Sequence, residues 1–186
     1  MAKLRIPDEW WTAPAESDNG ELILVTGRKI TDEIISSGIF NDRIEVTWSY
    51  TPADKGMPDD ATSTLMEQVH EALAAEFKKD PVAIITGIYT GAGERNWVFY
   101  TRSTHIFNRK FNEILAPFPV LPITIYAEKD PEWNEYREMR LTEIPMMAVM
   151  TALASNQASG FSTNYNRCLC YRRHRFFHAF SPTSPQ

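Results

Sequence analysis

Cysteine is nearly absent. Cys168 and Cys170 are the only two in 186 residues, and one residue apart they are too close to staple a domain. That excludes a small disulfide-built scaffold, and the expected compartment is the reducing cytoplasm. Long apolar runs are also missing. The longest, Met146–Ala154, is broken by Thr151 and has about half the length of a membrane-spanning helix, so no membrane partner is expected. The first residues, MAKLRIPDEWW, lack the apolar stretch of a secretory leader. Basic charge is in deficit: residues 1–140 carry 15 Lys and Arg against 23 Asp and Glu, a balance of −8. Such a surface repels phosphate backbones, so nucleic acid is not an expected partner. The sign reverses only after Leu141, where Arg167, Arg172, Arg173 and Arg175 face Glu143 alone.

What is present suits one packed domain with extensions: 43% hydrophobic and 12% aromatic residues in a chain of this length can bury a real core. Residues 1–20, with Pro7, Pro14 and the pair Trp10-Trp11, read as an irregular N-terminal arm. ELILVT from Glu21 reads as a short strand. Thr31-Asp32-Glu33 offers a capped start to a brief helix that stops at Gly38. Arg43–Tyr50 alternates, with Ile44, Val46, Trp48 and Tyr50 on one face and Arg43, Glu45, Thr47 and Ser49 on the other. From Asp59 to Lys79 an apolar stripe of Leu65, Val69, Leu73 and Phe77 predicts a helix. Asp80-Pro81 terminates it, because the residue before proline avoids helical backbone.

VAIITGIYTGAGERNWVFYTR, from Val82, predicts a β-hairpin turning at Gly91-Ala92-Gly93. Symmetry about Ala92 would pair Gly87 with Trp97, Ile85 with Phe99 and Ile84 with Tyr100. A second helix follows with Ser103 as its cap and Phe107, Phe111, Ile114, Leu115 and Phe118 as its stripe. Ile123–Glu128 alternates again, and DPEWNEYREM turns into a short helix bearing Trp133 and Tyr136. From residue 43 to 128 the order is strand, helix, strand, strand, helix, strand. That is the ferredoxin-like, split βαβ pattern of an α+β domain, which would set the Arg43 and Arg95 strands side by side. The expected organisation is an arm over 1–20, the domain over 21–140, and an extension over 141–186, partly helical and then disordered. Truncation after Ala154 is expected to leave the fold nearly unchanged.

Gly87, Tyr89, Thr90 and Gly91, then Trp97, Phe99, Tyr100 and Thr101, then Asp130, Pro131, Trp133 and Tyr136 follow a recognisable order. On these residues the chain, over roughly residues 20–140, resembles domain-of-unknown-function family 695, a family of bacterial proteins. The resemblance implies a fold similar to that of the regulator of ribonuclease activity B, and no assigned activity. The tail after Leu141 lies outside it.

The residues themselves assemble no catalytic set. His70 and His105 have no Ser or Cys partner at motif spacing, and Gly91-Ala92-Gly93 has no helix N-terminus behind it to cradle a phosphate. Cys168, Cys170, His174 and His178 form C-x-C-x3-H-x3-H, tighter than the usual zinc spacing, and no metal is assigned. Asp59-Asp60 reads as helix capping, and Asp130, Glu132, Glu135 and Glu138 as a solvated helix face; no cofactor is expected. Two helices cover only one face of the sheet, so the second face needs a covering segment or a partner. The reading is therefore a non-enzymatic protein-binding or regulatory module, its partner a protein or a second copy of itself. The candidate interaction surface is Trp97, Tyr100, Trp133, Tyr136 and Arg137. The alternative is an enzyme with a pocket between sheet and helices and His70, Tyr89 or an acidic residue as proton carrier. A lesser alternative is RNA binding through the rings of RNWVFYTR, or the ribonuclease regulation that the resemblance implies.

Overall fold

Asp59 opens the longest helix by accepting a hydrogen bond from the Thr62 amide at 2.7 Å. Lys78 and Lys79 close it where the carbonyl end of the dipole favours cations. This helix, α2 (Asp60–Lys79), turns Met66, Val69, Leu73 and Phe77 inward, as the stripe predicts. The computed structural model describes residues 5–17 and 19–143. The expectations placed on Pro145–Ala154, on the Cys/His tail and on truncation after Ala154 lie outside these residues.

Among the described residues, six strands form one antiparallel sheet. They are β1 (Trp10–Glu16), β2 (Leu22–Arg28), β3 (Asp42–Ser49), β4 (Ala83–Gly91), β5 (Glu94–Thr101) and β6 (Ile123–Lys129), in spatial order β1-β2-β4-β5-β3-β6. The other α-helices are α1 (Asp32–Ser36), α3 (Thr104–Leu115) and α4 (Asn134–Arg140). The fold is α+β. Residues 10–16 are not an irregular arm but an edge strand pairing along β2, with Pro14 opposite Leu24. An outermost strand tolerates proline because its outward N–H has no ladder bond to lose.

The hairpin is present, but its register is split. Ala92 and Gly93, at φ 51° and 79°, make a two-residue turn whose left-handed backbone matches the strand twist. Trp97 therefore lies opposite Ile88, and Val98 opposite Gly87, one residue away from the expected pairing. Ile85–Phe99 and Ile84–Tyr100 pair as expected. A bulge at Thr86 reconciles the two halves; its buried hydroxyl donates to the Val98 carbonyl at 3.2 Å. The extra residue also reverses the alternation. Ile85 and Ile88 point into one core, while Ile84 and Tyr89 point into the other.

The first core lies between the sheet and α2 and α3, around Ile44, Val46, Trp48, Trp97, Phe99, Phe107 and Phe111. The second lies on the opposite face. There Trp133, Tyr136 and Met139 of α4 and its entry, with Ile34 and Ile35 of α1, cover Val25, Ile84, Tyr89, Val98 and Tyr100. Trp11 packs against the same cluster, its indole lying directly over Gly27. No helix among the described residues is long and apolar enough to cross a membrane.

Candidate functional site

The segment Asp130-Pro131-Glu132-Trp133 fixes the site's geometry. Asp130 is buried, and its carboxylate accepts from the Tyr100 hydroxyl (2.6 Å), the Asn134 amide (2.9 Å) and side chain (3.0 Å), and the Glu135 amide (3.2 Å). It is thus the capping group of α4, not part of a solvated face. Burial pushes its carboxyl pKa up, but the Tyr100, Asn134 and Glu135 donors outweigh burial and hold it below the usual range. Burial, then the Asp130 carboxylate, push the Tyr100 phenol up. Trp133 enters the helix at φ 56°, a region bulky residues avoid. Its indole stacks on Tyr100, with ring centroids 4.0 Å apart and planes 5° from parallel. Interior rings of this size contribute about 2 kcal/mol each, enough to offset the strained entry.

Anchoring α4 here carries Glu135 over β3 and β5. On β3 the Arg43 side chain is 1% exposed, donating from Nε to Glu128 at 2.9 Å and from Nη1 to Glu45 at 3.0 Å, with Glu135 at 3.9 Å. Burial pulls the guanidinium pKa down, but Glu135, Glu45 and Glu128 more than offset it and leave it raised. The Tyr89 hydroxyl donates to Glu135 at 3.1 Å, the Tyr126 hydroxyl donates to Glu128 at 2.9 Å, and the Tyr126 ring lies 5.7 Å from the guanidinium. Beside this cluster the Thr47 hydroxyl donates to Asn96 at 2.5 Å. Asn96 Nδ2 and Arg43 Nη2 have no acceptor among the described residues.

One cation among three carboxylates leaves local charge negative, at the boundary between the covered and open halves of the second face. The open half ends at β6, an edge strand on which Ile125 and Tyr126 are 44% and 48% exposed. They point to opposite faces, on the strand that ends the sheet among the described residues. This arrangement can accept an added strand and a basic side chain. Among the described residues no group of three His, Cys, Asp or Glu is arranged to hold a metal ion.

The expected interaction surface is revised by this geometry. Trp97, Tyr100, Trp133 and Tyr136 are each 1% exposed or less. Trp97 faces the α2–α3 core, and the other three hold α4 to the opposite face. The same rings supply the covering segment that the second face requires. Arg137 is exposed, its Nε donating to the Glu132 carbonyl at 2.9 Å. No ring of β5 is exposed, so that strand presents no stacking platform for bases. His70 and Tyr89 lie on opposite sides of the sheet, His70 edge-on to Trp10 at 6.2 Å and Tyr89 in the second core, and are not brought together. The Arg43–Glu128 pair was readable only through strand adjacency, since the two residues face each other across β3 and β6.

No curated protein matches the chain. A family model described as a family of unknown function, DUF695, matches residues 9–140, from the start of the β1 region through the last residue of α4. The match takes in Asp130, Trp133 and Tyr136, whose contacts build the site, and the chain belongs to the DUF695 family.

Proposed function

We propose that the protein is a non-enzymatic protein-binding module that takes an extended, basic segment of a partner along the edge of β6. The observation that carries this reading is the juxtaposition of exposed Ile125 and Tyr126 on β6 with the carboxylates of Glu128 on the same strand and Glu45 on neighbouring β3. Edge strands usually carry a proline, an inward charge or a covering element against further pairing. β6 has no internal proline, and only its last residue is a lysine. An added strand would lay apolar side chains beside Ile125 and a lysine or arginine beside Glu128. We also read β3–α2–β4–β5–α3–β6 as a ferredoxin-like core to which β1 and β2 are added. Support comes from the neighbour order β4-β5-β3-β6 and from two helices packed on one face. A cytoplasmic location fits the shortage of cysteine.

The test is photocrosslinking in cells with benzoylphenylalanine in place of Tyr126 in the full-length chain. A discrete adduct is expected that the Ile125→Glu variant loses; one of twice the monomer mass would identify a second copy as the partner. The reading fails if position 126 yields no more adduct than the same probe at Glu113 on α3 and light scattering finds a strict monomer.

A further inference from the structure

Away from β6, the sheet opens a second feature at the start of β4. Pairing between β2 and β4 ends at Gly27–Gly87, next to the Thr86 bulge, so among the described residues Ala83–Ile85 has no strand neighbour on that side. The Arg102 amide donates to the Val82 carbonyl at 3.1 Å, which makes Val82–Arg102 a hydrogen-bonded pair. Ala83 and Ile85 then direct their N–H and C=O groups to the open edge. A cleft of about 400 Å³ lies against this edge, walled by Ile6, Phe77 and Pro81 and rimmed by Arg5, Arg28 and Lys78. Its volume is in the range that holds small organic molecules.

Charge distinguishes the cleft from the rest of the surface. Three cations gather on a domain with a balance of −8 over residues 1–140. The carboxylate of Asp8 is already shared between Arg28 at 3.3 Å and Lys78 at 3.1 Å. Arg28 is further held by the Pro7 carbonyl at 2.6 Å, whereas Arg5 has no ion pair among the described residues. We propose that the cleft binds a small amphipathic organic anion, its carboxylate, sulfonate or phosphate head at Arg5 and Lys78 and its apolar body against Ile6, Phe77 and Pro81. This site is independent of the β6 reading.

Fluorescence titration of the full-length protein tests it with anilinonaphthalene sulfonate as the anionic probe and N-phenylnaphthylamine as its neutral counterpart. Saturable one-to-one binding of the anion is expected, about tenfold tighter than the neutral dye. The charge reversal Arg5→Glu/Lys78→Glu should weaken the anion by about tenfold. Ala74→Phe, which fills the cleft wall, should abolish binding of both dyes with circular dichroism unchanged. Equal affinity for the two dyes, or anion binding unaltered by the charge reversal, overturns the proposal; the surface double variant decides the matter if Ala74→Phe does not fold.

Discussion

Met139 and Gly87 share one space: the Met139 Sδ stands where a β-carbon at position 87 would have to go. The glycine is there for clearance, since α4 packs onto the sheet at the point where β4 has no side chain. Gly87→Ala is expected to destabilise the fold by about 1–3 kcal/mol, as overpacking of a filled core does. Met139→Ala should cost roughly 2–5 kcal/mol through the cavity it leaves. In the double variant the two losses should not add, because the space vacated by the methionine accepts the new methyl. Urea unfolding of the four proteins measures this, and strict additivity would show that Met139 does not set the clearance.

Asp130 organises the other end of α4. Asp130→Ala strands the Tyr100 hydroxyl and two helix amides, an expected loss of about 2–4 kcal/mol at neutral pH. Because the folded pKa of Asp130 lies below its ordinary value of 3.8, its contribution is complete above that pH and disappears as pH falls through the folded value. The stability gap between wild type and Asp130→Ala should accordingly narrow in acid. A gap constant down to strongly acidic pH would assign the effect to packing rather than to the carboxylate.

His70 governs a milder pH range. Burial lowers its pKa below 6.5, with Arg95 and Arg28 acting in the same direction and Glu67 and Glu71 opposing them; its Nδ1 has no partner among the described residues. The unfolded chain then binds a proton before the folded chain does. Stability is thus undiminished above pH 6.5 and declines as pH falls from there toward the folded pKa. Replacing the imidazole with His70→Gln should flatten this part of the profile, measured by denaturant midpoints between neutrality and mild acid. An unchanged slope would remove His70 as its source.

The parts of the fold written locally were legible in the sequence. Asp59, the Leu73–Phe77 stripe and Pro81 specify α2 within its own residues, and Ser103, Phe107 and Phe111 do the same for α3. The hairpin was legible as a hairpin but not in register. Whether Ala92 adopts positive φ, and where the compensating bulge falls, depend on what the two strands pack against. The burial of Trp133 and Tyr136 could not be separated from exposure by spacing alone, because an aromatic pair one turn apart suits either a partner or a core. The second core settles it through Tyr100 and Gly87, remote in sequence from both. The Arg5–Arg28–Lys78 rim is the least legible part, since three distant segments meet there only after β2 has left β4.

Thr86 changes how wide the sheet is. On the turn side of this residue β4 has neighbours on both edges, and the sheet runs six strands across. On the other side, among the described residues, it runs four, from β4 to β6. A single inserted residue thus acts as the corner of a stepped outline. β1 and β2 are joined to the rest of the sheet along only about half the length of β4, so the five pairs from Ile23–Gly91 to Gly27–Gly87 carry the whole ladder attachment of the two outer strands.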